Sequence, residues 1–160
     1  MKTRITVWII IILSVFFFYS LVANLAHGAE IVIGYAPTSY HWDERDEPDG
    51  RPYNTENHAV MVSYNQWFGL TYENSHYNRT YSIGYEFRTA KWEPLNNPFF
   101  IRGTLPVGLM YGYEEKFPNV EGFSIGISPI LEIGFDRLSL KTLIVPIDGG
   151  CISGMIAWRF

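Results

Sequence analysis

The amino-acid sequence predicts an all-β fold, an eight-stranded antiparallel transmembrane β-barrel of the outer-membrane type. The first observation behind this prediction is the end of the 160-residue chain, where side chains alternate between two faces up to Phe160. Such a period of two with a terminal aromatic residue is typical of the last strand of an outer-membrane barrel. An open sheet edge in hydrocarbon would leave backbone groups unpaired at several kcal/mol each, so one membrane strand implies a closed barrel.

The start of the chain is the second observation. A positively charged beginning, Met1-Lys2-Thr3-Arg4, precedes an apolar stretch, and Ala26-His27-Gly28 offers small residues at the spacing that a signal peptidase needs. We therefore expect residues 1–28 to be a cleaved secretory signal and residues 29–160 to form a single barrel domain. The apolar stretch is rather long for such a signal, and an uncleaved membrane anchor is the alternative.

Length and composition agree with a small barrel. Removal of the signal leaves 160 − 28 = 132 residues, which is what eight strands of about ten residues and their connections require. Aromatic residues make up 17% of the chain, which suits girdles at two membrane interfaces, although an aromatic-filled soluble β-sandwich is the alternative. Without Lys2 and Arg4 the chain has 12 − 2 = 10 basic against 16 acidic residues, a balance that argues against nucleic acid as a partner.

Eight segments with strand character, separated by turn signals, are the third observation. On the fourth segment, Tyr81, Ile83, Tyr85 and Phe87 suit lipid, whereas Glu86 and its neighbours on the other face suit a polar lumen. Pro129 lies within the sixth segment, where it must forfeit a ladder hydrogen bond, a loss that a local gap in the wall would tolerate. The predicted segments are 31–41, 58–64, 67–74, 80–88, 99–111, 123–135, 138–145 and 151–160.

Barrel topology brings distant residues together. Bacterial outer-membrane barrels keep both termini in the periplasm, so odd strands run outward and even strands return. His41 then lies at the outer end of the first strand and Ser75 at the outer end of the third. Both are at the outer rim, although they are 34 positions apart in the sequence. We therefore expect their side chains to approach one another.

These residues carry a resemblance to a known family. His41, the run Arg51-Pro52-Tyr53-Asn54 and the run Tyr72-Glu73-Asn74-Ser75 resemble the lipid A palmitoyltransferases of the PagP type. The ending is similar as well, with a proline in strand six, Val145-Pro146 after strand seven and Ala157-Trp158-Arg159-Phe160 at the close. The resemblance implies an integral enzyme of the bacterial outer membrane that moves an acyl chain from a phospholipid to lipid A without a metal or cofactor.

The resemblance also implies site residues. His41 and Ser75 match the family's essential His and Ser, while Asn74 stands where the family has an Asp. Because an amide stabilises an imidazolium poorly, either the activity is weak or another acid, such as Glu73 or Glu56, substitutes. If the site is a weakened acyltransferase, Asn74→Asp is expected to raise the rate. The residues expected to contact substrate are Tyr53, Asn54, Asn57, Tyr72 and Gly84. Gly84 either leaves space for an acyl chain or relieves crowding in a narrow barrel.

The residues alone leave other interpretations open. A neutral imidazole can take a proton from a hydroxyl and return it to a leaving group, with Ser75 as nucleophile or as polarising donor. The same pair could serve an acyl hydrolase that uses water.

The histidine spacing matches no metal motif. For the acidic cluster a solvated loop is favoured over a calcium site. The cluster consists of Asp43, Glu44, Asp46, Glu47 and Asp49.

A non-catalytic barrel that acts as adhesin, receptor or shield through its outer loops is the alternative function. An apolar lumen of acyl-chain width would favour the enzyme, and a lumen packed with Arg and Glu pairs would favour the scaffold. Glu86, Arg88 and Lys141 predict charge in part of the lumen. The expected partners are phospholipid and lipid A of the outer leaflet and, through Phe160, the barrel-assembly machinery, with the protein as a monomer.

Overall fold

A computed structural model describes residues 30–42, 52–94, 97–113, 119–145 and 150–160. The compact unit Ile31–Phe160 contains every strand described below. Within these ranges no helix has the length and apolar character needed to cross a membrane. The predicted signal segment, the acidic cluster Asp43 to Asp49, Arg51 and Pro146 lie outside the described residues.

The chain forms a closed eight-stranded antiparallel β-barrel, which confirms the predicted fold class. Consecutive wall strands pair antiparallel around the barrel, and pairing of the first and last strands closes it. Ten strand segments make up eight wall strands because two of the wall strands are interrupted. The segments are β1 (Ile31–Ala36), β2 (Ser39–His41), β3 (Ala59–Tyr64), β4 (Trp67–Glu73), β5 (Arg79–Arg88), β6 (Phe99–Tyr111), β7 (Phe123–Ile127), β8 (Ile130–Phe135), β9 (Leu138–Val145) and β10 (Cys151–Arg159).

Prolines account for the interruptions. The predicted first strand is divided at Pro37 and the predicted sixth strand at Pro129, where the missing N–H removes a ladder bond. β8 pairs with both β6 and β9, whereas β7 pairs with β6, and no ladder between β7 and β9 is present among the described residues. The loss of ladder bonding expected at Pro129 is thereby confirmed. At this point the Ser128 hydroxyl donates to the Ile144 carbonyl at 2.9 Å, and the Ile144 N–H donates to the Pro129 carbonyl at 3.4 Å.

The two faces of the wall alternate as predicted. In β5, Tyr81, Ile83 and Phe87 are exposed on the outside, while Thr80 and Glu86 are buried in the interior. The same period of two runs through β1 and β3. Because side chains alternate along a strand, one face of each strand lines the lumen and the other covers the outside.

The two ends of the barrel differ in their connections. The Phe160 end, named for its last residue, contains the tight turns Asn65-Gln66 and Asp136-Arg137, whose first residues have φ values of 57° and 54°. Asn and Asp tolerate this left-handed region better than other non-glycine residues. The opposite end, here called the His41 end, contains the connections after β2, β4, β6 and β9.

The interior of the Phe160 half is filled by ionic groups, here called the ion cluster. The Glu132 carboxylate accepts hydrogen bonds from Arg102 at 2.5 and 2.9 Å, from Ser139 at 2.8 Å and from Arg159 at 3.2 Å. The Glu86 carboxylate accepts bonds from Lys141 at 2.8 Å and from Arg88 at 2.6 and 3.0 Å. The predicted charge in part of the lumen is confirmed. The members of the ion cluster are Glu86, Arg88, Arg102, Glu132, Ser139, Lys141 and Arg159.

Candidate active site at the His41 end

His41 and Ser75 meet at the His41 end, as the topology predicts. The Ser75 hydroxyl oxygen lies 3.3 Å from Nε2 of His41, within hydrogen-bond distance. His41 is the last residue of β2, and Ser75 lies in the turn directly after β4. Both residues are half-buried. The pair therefore has the base-beside-hydroxyl arrangement that proton transfer requires.

Residues 52–58, which precede β3, hold the two residues in place. Their backbone pairs on one side with β2, where Ser39 N–H donates to the Thr55 carbonyl at 2.9 Å. On the other side Asn54 N–H donates to the Ser75 carbonyl, also at 2.9 Å. This segment therefore lies between β2 and the turn after β4, and its hydrogen bonds fix the distance between His41 and Ser75.

Tyr53 covers His41. The two rings are stacked, with centroids 5.0 Å apart and planes at 23°. His76 contacts the same tyrosine edge-on, at 5.9 Å between centroids, and Tyr113 contacts His76 at 6.2 Å. Tyr53, which the sequence suggests as a substrate contact, thus packs directly on the imidazole of the candidate base.

Asn74 organises the turn that carries Ser75. Its fully buried amide donates to the Thr80 hydroxyl and to the Gly112 carbonyl, each at 3.1 Å. The side-chain oxygen Oδ1 of Asn74 accepts hydrogen bonds from the backbone N–H groups of His76 at 2.9 Å and Asn78 at 3.0 Å. The hydrogen-bonding positions of this amide are used within the turn and its neighbours, so the contacts of Asn74 indicate a structural role beside the candidate pair.

Asn54 and Asn57 bind the same turn from the opposite side. The Asn54 side-chain amide donates to the Glu73 carboxylate at 3.3 Å and to the backbone carbonyl of Asn74 at 3.2 Å. The Asn57 amide donates to the Glu73 carbonyl at 2.9 Å. Asn54 is therefore a loop-fixing residue. Asn57 differs because it also lines the interior cavity, and its buried Oδ1 has no hydrogen-bond partner among the described residues.

An interior cavity of about 420 Å³ lies in the His41 half of the barrel. Ser75 and Tyr72 line it, and the Glu86–Lys141 ion pair lines it where the ion cluster begins. Much of the remaining lining is apolar, contributed by Ala36, Ala59, Met61, Phe68, Leu70, Pro106, Met110, Ile125, Ile127, Ile130, Leu143, Val145 and Met155. Of these, Ile125 and Ile127 belong to the exposed face of β7 and border the cavity from the wall. The lumen thus combines the two alternatives drawn from the sequence, an apolar cavity in one half and ion pairs in the other.

Gly84 lies in the wall and is not among the residues that line the cavity. It pairs with Gly108 on β6, and a Cβ at Gly84 would stand 2.5 Å from the Gly108 Cα and 2.9 Å from the Phe68 ring, besides meeting the Val107 carbonyl oxygen. Of the two roles considered for Gly84, its surroundings favour relief of crowding.

Two residues beside His41 were not predicted from the sequence to be site residues. The Ser39 hydroxyl lies 3.5 Å from Nε2 of His41, and Cys151 is the cross-strand partner of His41 on β10. Both line the cavity. The i, i+2 spacing of Ser39 and His41 places them on one face of a strand and could have identified Ser39. Only the strand register identifies Cys151.

Within the described residues, no group of three or more His, Cys, Asp or Glu side chains is placed to hold a metal ion. No model of a known protein family matches the chain, and no curated protein matches it.

Proposed function

We propose that this barrel is an outer-membrane acyltransferase that moves a fatty acyl chain from a phospholipid to lipid A. The observation that carries the proposal is the His41–Ser75 pair, 3.3 Å apart, with Ser75 on the wall of an apolar cavity. A base beside a hydroxyl supplies proton transfer, and an apolar cavity supplies a binding site for hydrocarbon.

The outside of the barrel supports placement in a membrane. Its middle zone exposes aliphatic side chains such as Ile33, Val62, Ile83, Leu109 and Ile133. Exposed aromatic residues flank this zone toward both ends. They are Tyr40, Trp42, Tyr81, Tyr111 and Phe123 toward the His41 end, and Tyr64, Phe87, Phe135, Trp158 and Phe160 toward the Phe160 end. An apolar band between aromatic girdles is typical of outer-membrane barrels.

The cavity supports an acyl substrate. Its volume of about 420 Å³ falls in the range of ligand sites, about 300–1,000 Å³. A fatty acyl chain inserted from the His41 end would place its carbonyl carbon near Ser75 and its terminal methyl group toward Glu86 and Lys141.

The chemistry follows from the pair. Nε2 of His41 takes the proton of the attacking group and later returns it to the glycerol oxygen that leaves with the phospholipid. Ser75 relays this proton between His41 and the reacting oxygen at the cavity wall. The ester bond to glycerol breaks and an ester bond to the lipid A hydroxyl forms, so the reaction needs no oxidant, reductant or nucleotide.

Mass spectrometry of lipid A from bacteria that express the full chain tests the proposal. The protein should add one acyl chain per lipid A, and His41→Ala or Ser75→Ala should lower this addition about 10²- to 10⁴-fold, the usual contribution of general acid–base groups. His58→Asn is the matched control. His58 is an exposed histidine near the same end whose Nδ1 bonds to Tyr35 and whose φ of 44° Asn tolerates.

The same experiment separates the alternatives. Loss of an acyl chain from the phospholipid without an added acyl chain on lipid A would indicate an acyl hydrolase that uses the same His41–Ser75 pair. Unchanged lipid A acylation in folded His41→Ala protein would contradict the enzymatic proposal and favour a scaffold that acts through its outer loops. Folding is measured on the same samples by resistance of the barrel to protease.

A further inference from the structure

A polar groove of about 610 Å³ lies at the rim of the His41 end, and we call it the outer groove. It is bordered by the start of β5, the end of β6 and the chain that leads into β7. The side chains that line it are those of Asn78, Arg79, Tyr111, Tyr113 and Asn119. One guanidinium, two amides and two phenols give the groove many hydrogen-bond donors, and no carboxylate of the described residues lines it.

Arg79 supplies the positive charge of the outer groove. Its cross-strand partner on β4 is Glu73, whose carboxylate instead accepts a hydrogen bond from the Asn54 side chain at 3.3 Å. Arg79 is exposed, and no ion pair joins it to a carboxylate within the part of the chain that the structure describes. A guanidinium binds a phosphate group through two parallel hydrogen bonds, so the charge and the donors of the groove match a phosphorylated ligand.

The outer groove lies at the level of lipid headgroups. Tyr81 and Tyr111 are paired across β5 and β6, and both belong to the aromatic residues exposed toward the His41 end. Such aromatic girdles lie at the membrane–water interface. Arg79 is on the same face of β5 as Tyr81 and two residues further out, which is about 7 Å at the rise of a strand. A phosphate of an outer-leaflet lipid is therefore the anion expected beside it.

The outer groove adjoins the candidate active site. Tyr113 lines both the groove and the apolar cavity. The turn that carries Ser75 reaches the groove as well, because the Asn74 N–H donates to the carbonyl of Asn78 at 2.8 Å. A headgroup in the outer groove would thus be one turn of the chain away from the His41–Ser75 pair.

We propose that the outer groove binds the phosphorylated sugar headgroup of lipid A, with the Arg79 guanidinium on the phosphate and the Asn78 amide on a sugar hydroxyl group. This inference rests on the proposed function and names the place of its acceptor.

The two substrates then occupy different places. The phospholipid inserts an acyl chain into the apolar cavity, so its own phosphate stays at the mouth of that cavity. Lipid A keeps its acyl chains in the membrane outside the barrel, and the outer groove holds its headgroup beside the turn that carries Ser75. The groove volume of about 610 Å³ exceeds what a phosphate alone fills and falls in the range of ligand sites, about 300–1,000 Å³.

The test is native mass spectrometry of the full barrel in detergent micelles that contain bis-phosphorylated lipid A and no phospholipid. Without an acyl donor no transfer takes place, so the measurement reports binding alone. Arg79→Gln should raise the Kd for lipid A at least about tenfold, the usual effect of losing a hydrogen bond to a charged group. Enzymatically dephosphorylated lipid A should bind the unchanged chain and Arg79→Gln equally weakly.

Arg137→Gln is the matched control. Arg137 is also an exposed arginine, but it lies in the turn between β8 and β9 at the Phe160 end, so its exchange should leave the Kd for lipid A unchanged. Arg79→Lys retains the charge and loses the planar fork of donors, and it should therefore weaken binding less than Arg79→Gln.

The outcomes separate this inference from the proposed function. An unchanged Kd of Arg79→Gln for lipid A would overturn the inference, and acyl transfer by the same variant at the normal rate would leave the proposed function intact. An equal loss of binding to phosphatidylethanolamine would also overturn it, because Arg79 would then belong to the donor site. Binding of lipid A through Arg79, without transfer once phosphatidylethanolamine is added to the unchanged chain, would support the outer groove and contradict the proposed function.

Discussion

The imidazole of His41 stacks on the phenol ring of Tyr53, with ring centroids 5.0 Å apart and planes inclined by 23°. Aromatic pairs of this kind contribute about 0.5–1.5 kcal/mol beyond burial of their area. The stack therefore restricts rotation of the imidazole and keeps Nε2 toward Ser75 and Ser39. Tyr53 therefore positions the imidazole of His41.

Replacement of the Tyr53 ring should affect turnover more than binding. Tyr53→Leu should lower kcat of lipid A acylation about tenfold, which corresponds to about 1.4 kcal/mol of lost orientation, with little change in KM. Tyr53→Phe preserves the stack and should retain most of the rate. Steady-state kinetics in detergent micelles measures both constants. A rise in KM at unchanged kcat for Tyr53→Leu would instead indicate a substrate contact.

Asn74→Asp should destabilise the protein rather than raise its rate. The exchange removes the donors to Thr80 and Gly112 and sets a buried carboxylate oxygen near the Gly112 carbonyl. Unsatisfied or opposed buried groups cost about 1–3 kcal/mol each. This expectation replaces the gain of rate that the family resemblance suggests, because the structure shows no hydrogen bond from Asn74 to His41.

Asn97→Asp is the matched control for that exchange. Asn97 is exposed, and its Oδ1 accepts a bond from the Phe99 N–H at 3.0 Å, which a carboxylate preserves. Thermal denaturation of both variants in the same detergent gives the comparison. A faster acyl transfer by Asn74→Asp at unchanged stability would show that the turn accepts the carboxylate and that the position is catalytic.

The His41–Ser75 approach was accessible from sequence because strand count and direction fix which residues share a rim. The role of Asn74 could not be predicted from the sequence, because it depends on side-chain hydrogen bonds inside a turn, and a turn has no periodic sequence pattern. Cys151 was missed for a related reason. Its position opposite His41 depends on the register of β2 against β10, and a shift of one residue would move the thiol to the other face.

Gly84→Ala should destabilise the wall. A Cβ at this position would collide with backbone atoms of Val107 and Gly108, which have no freedom to move aside. Overpacking of this kind costs about 1–3 kcal/mol. Gly69→Ala is the control, because a Cβ there meets nothing within 4 Å on an exposed site of β4. Equal melting temperatures for the two variants would contradict this account of Gly84.

The last prediction concerns the ion cluster. Glu132→Gln should lower the free energy of unfolding by about 3–5 kcal/mol, the cost of removing one partner from a buried ion pair. Glu132 is fully buried and holds Arg102, Ser139 and Arg159 together, so its loss leaves guanidinium charge without its carboxylate.

The surface pair Lys91–Glu93 provides the control for that loss. Its side chains are 34% and 55% exposed and 3.7 Å apart, so Glu93→Gln should change stability by about 1 kcal/mol or less. Chemical denaturation in one detergent measures both variants. If Glu132→Gln were no more costly than Glu93→Gln, the ion cluster would not stabilise the Phe160 half. The barrel would then depend for that half on its ladder bonds and on contacts such as that of the Arg159 guanidinium with the Phe100 ring, whose centroid lies 4.9 Å from the guanidinium carbon.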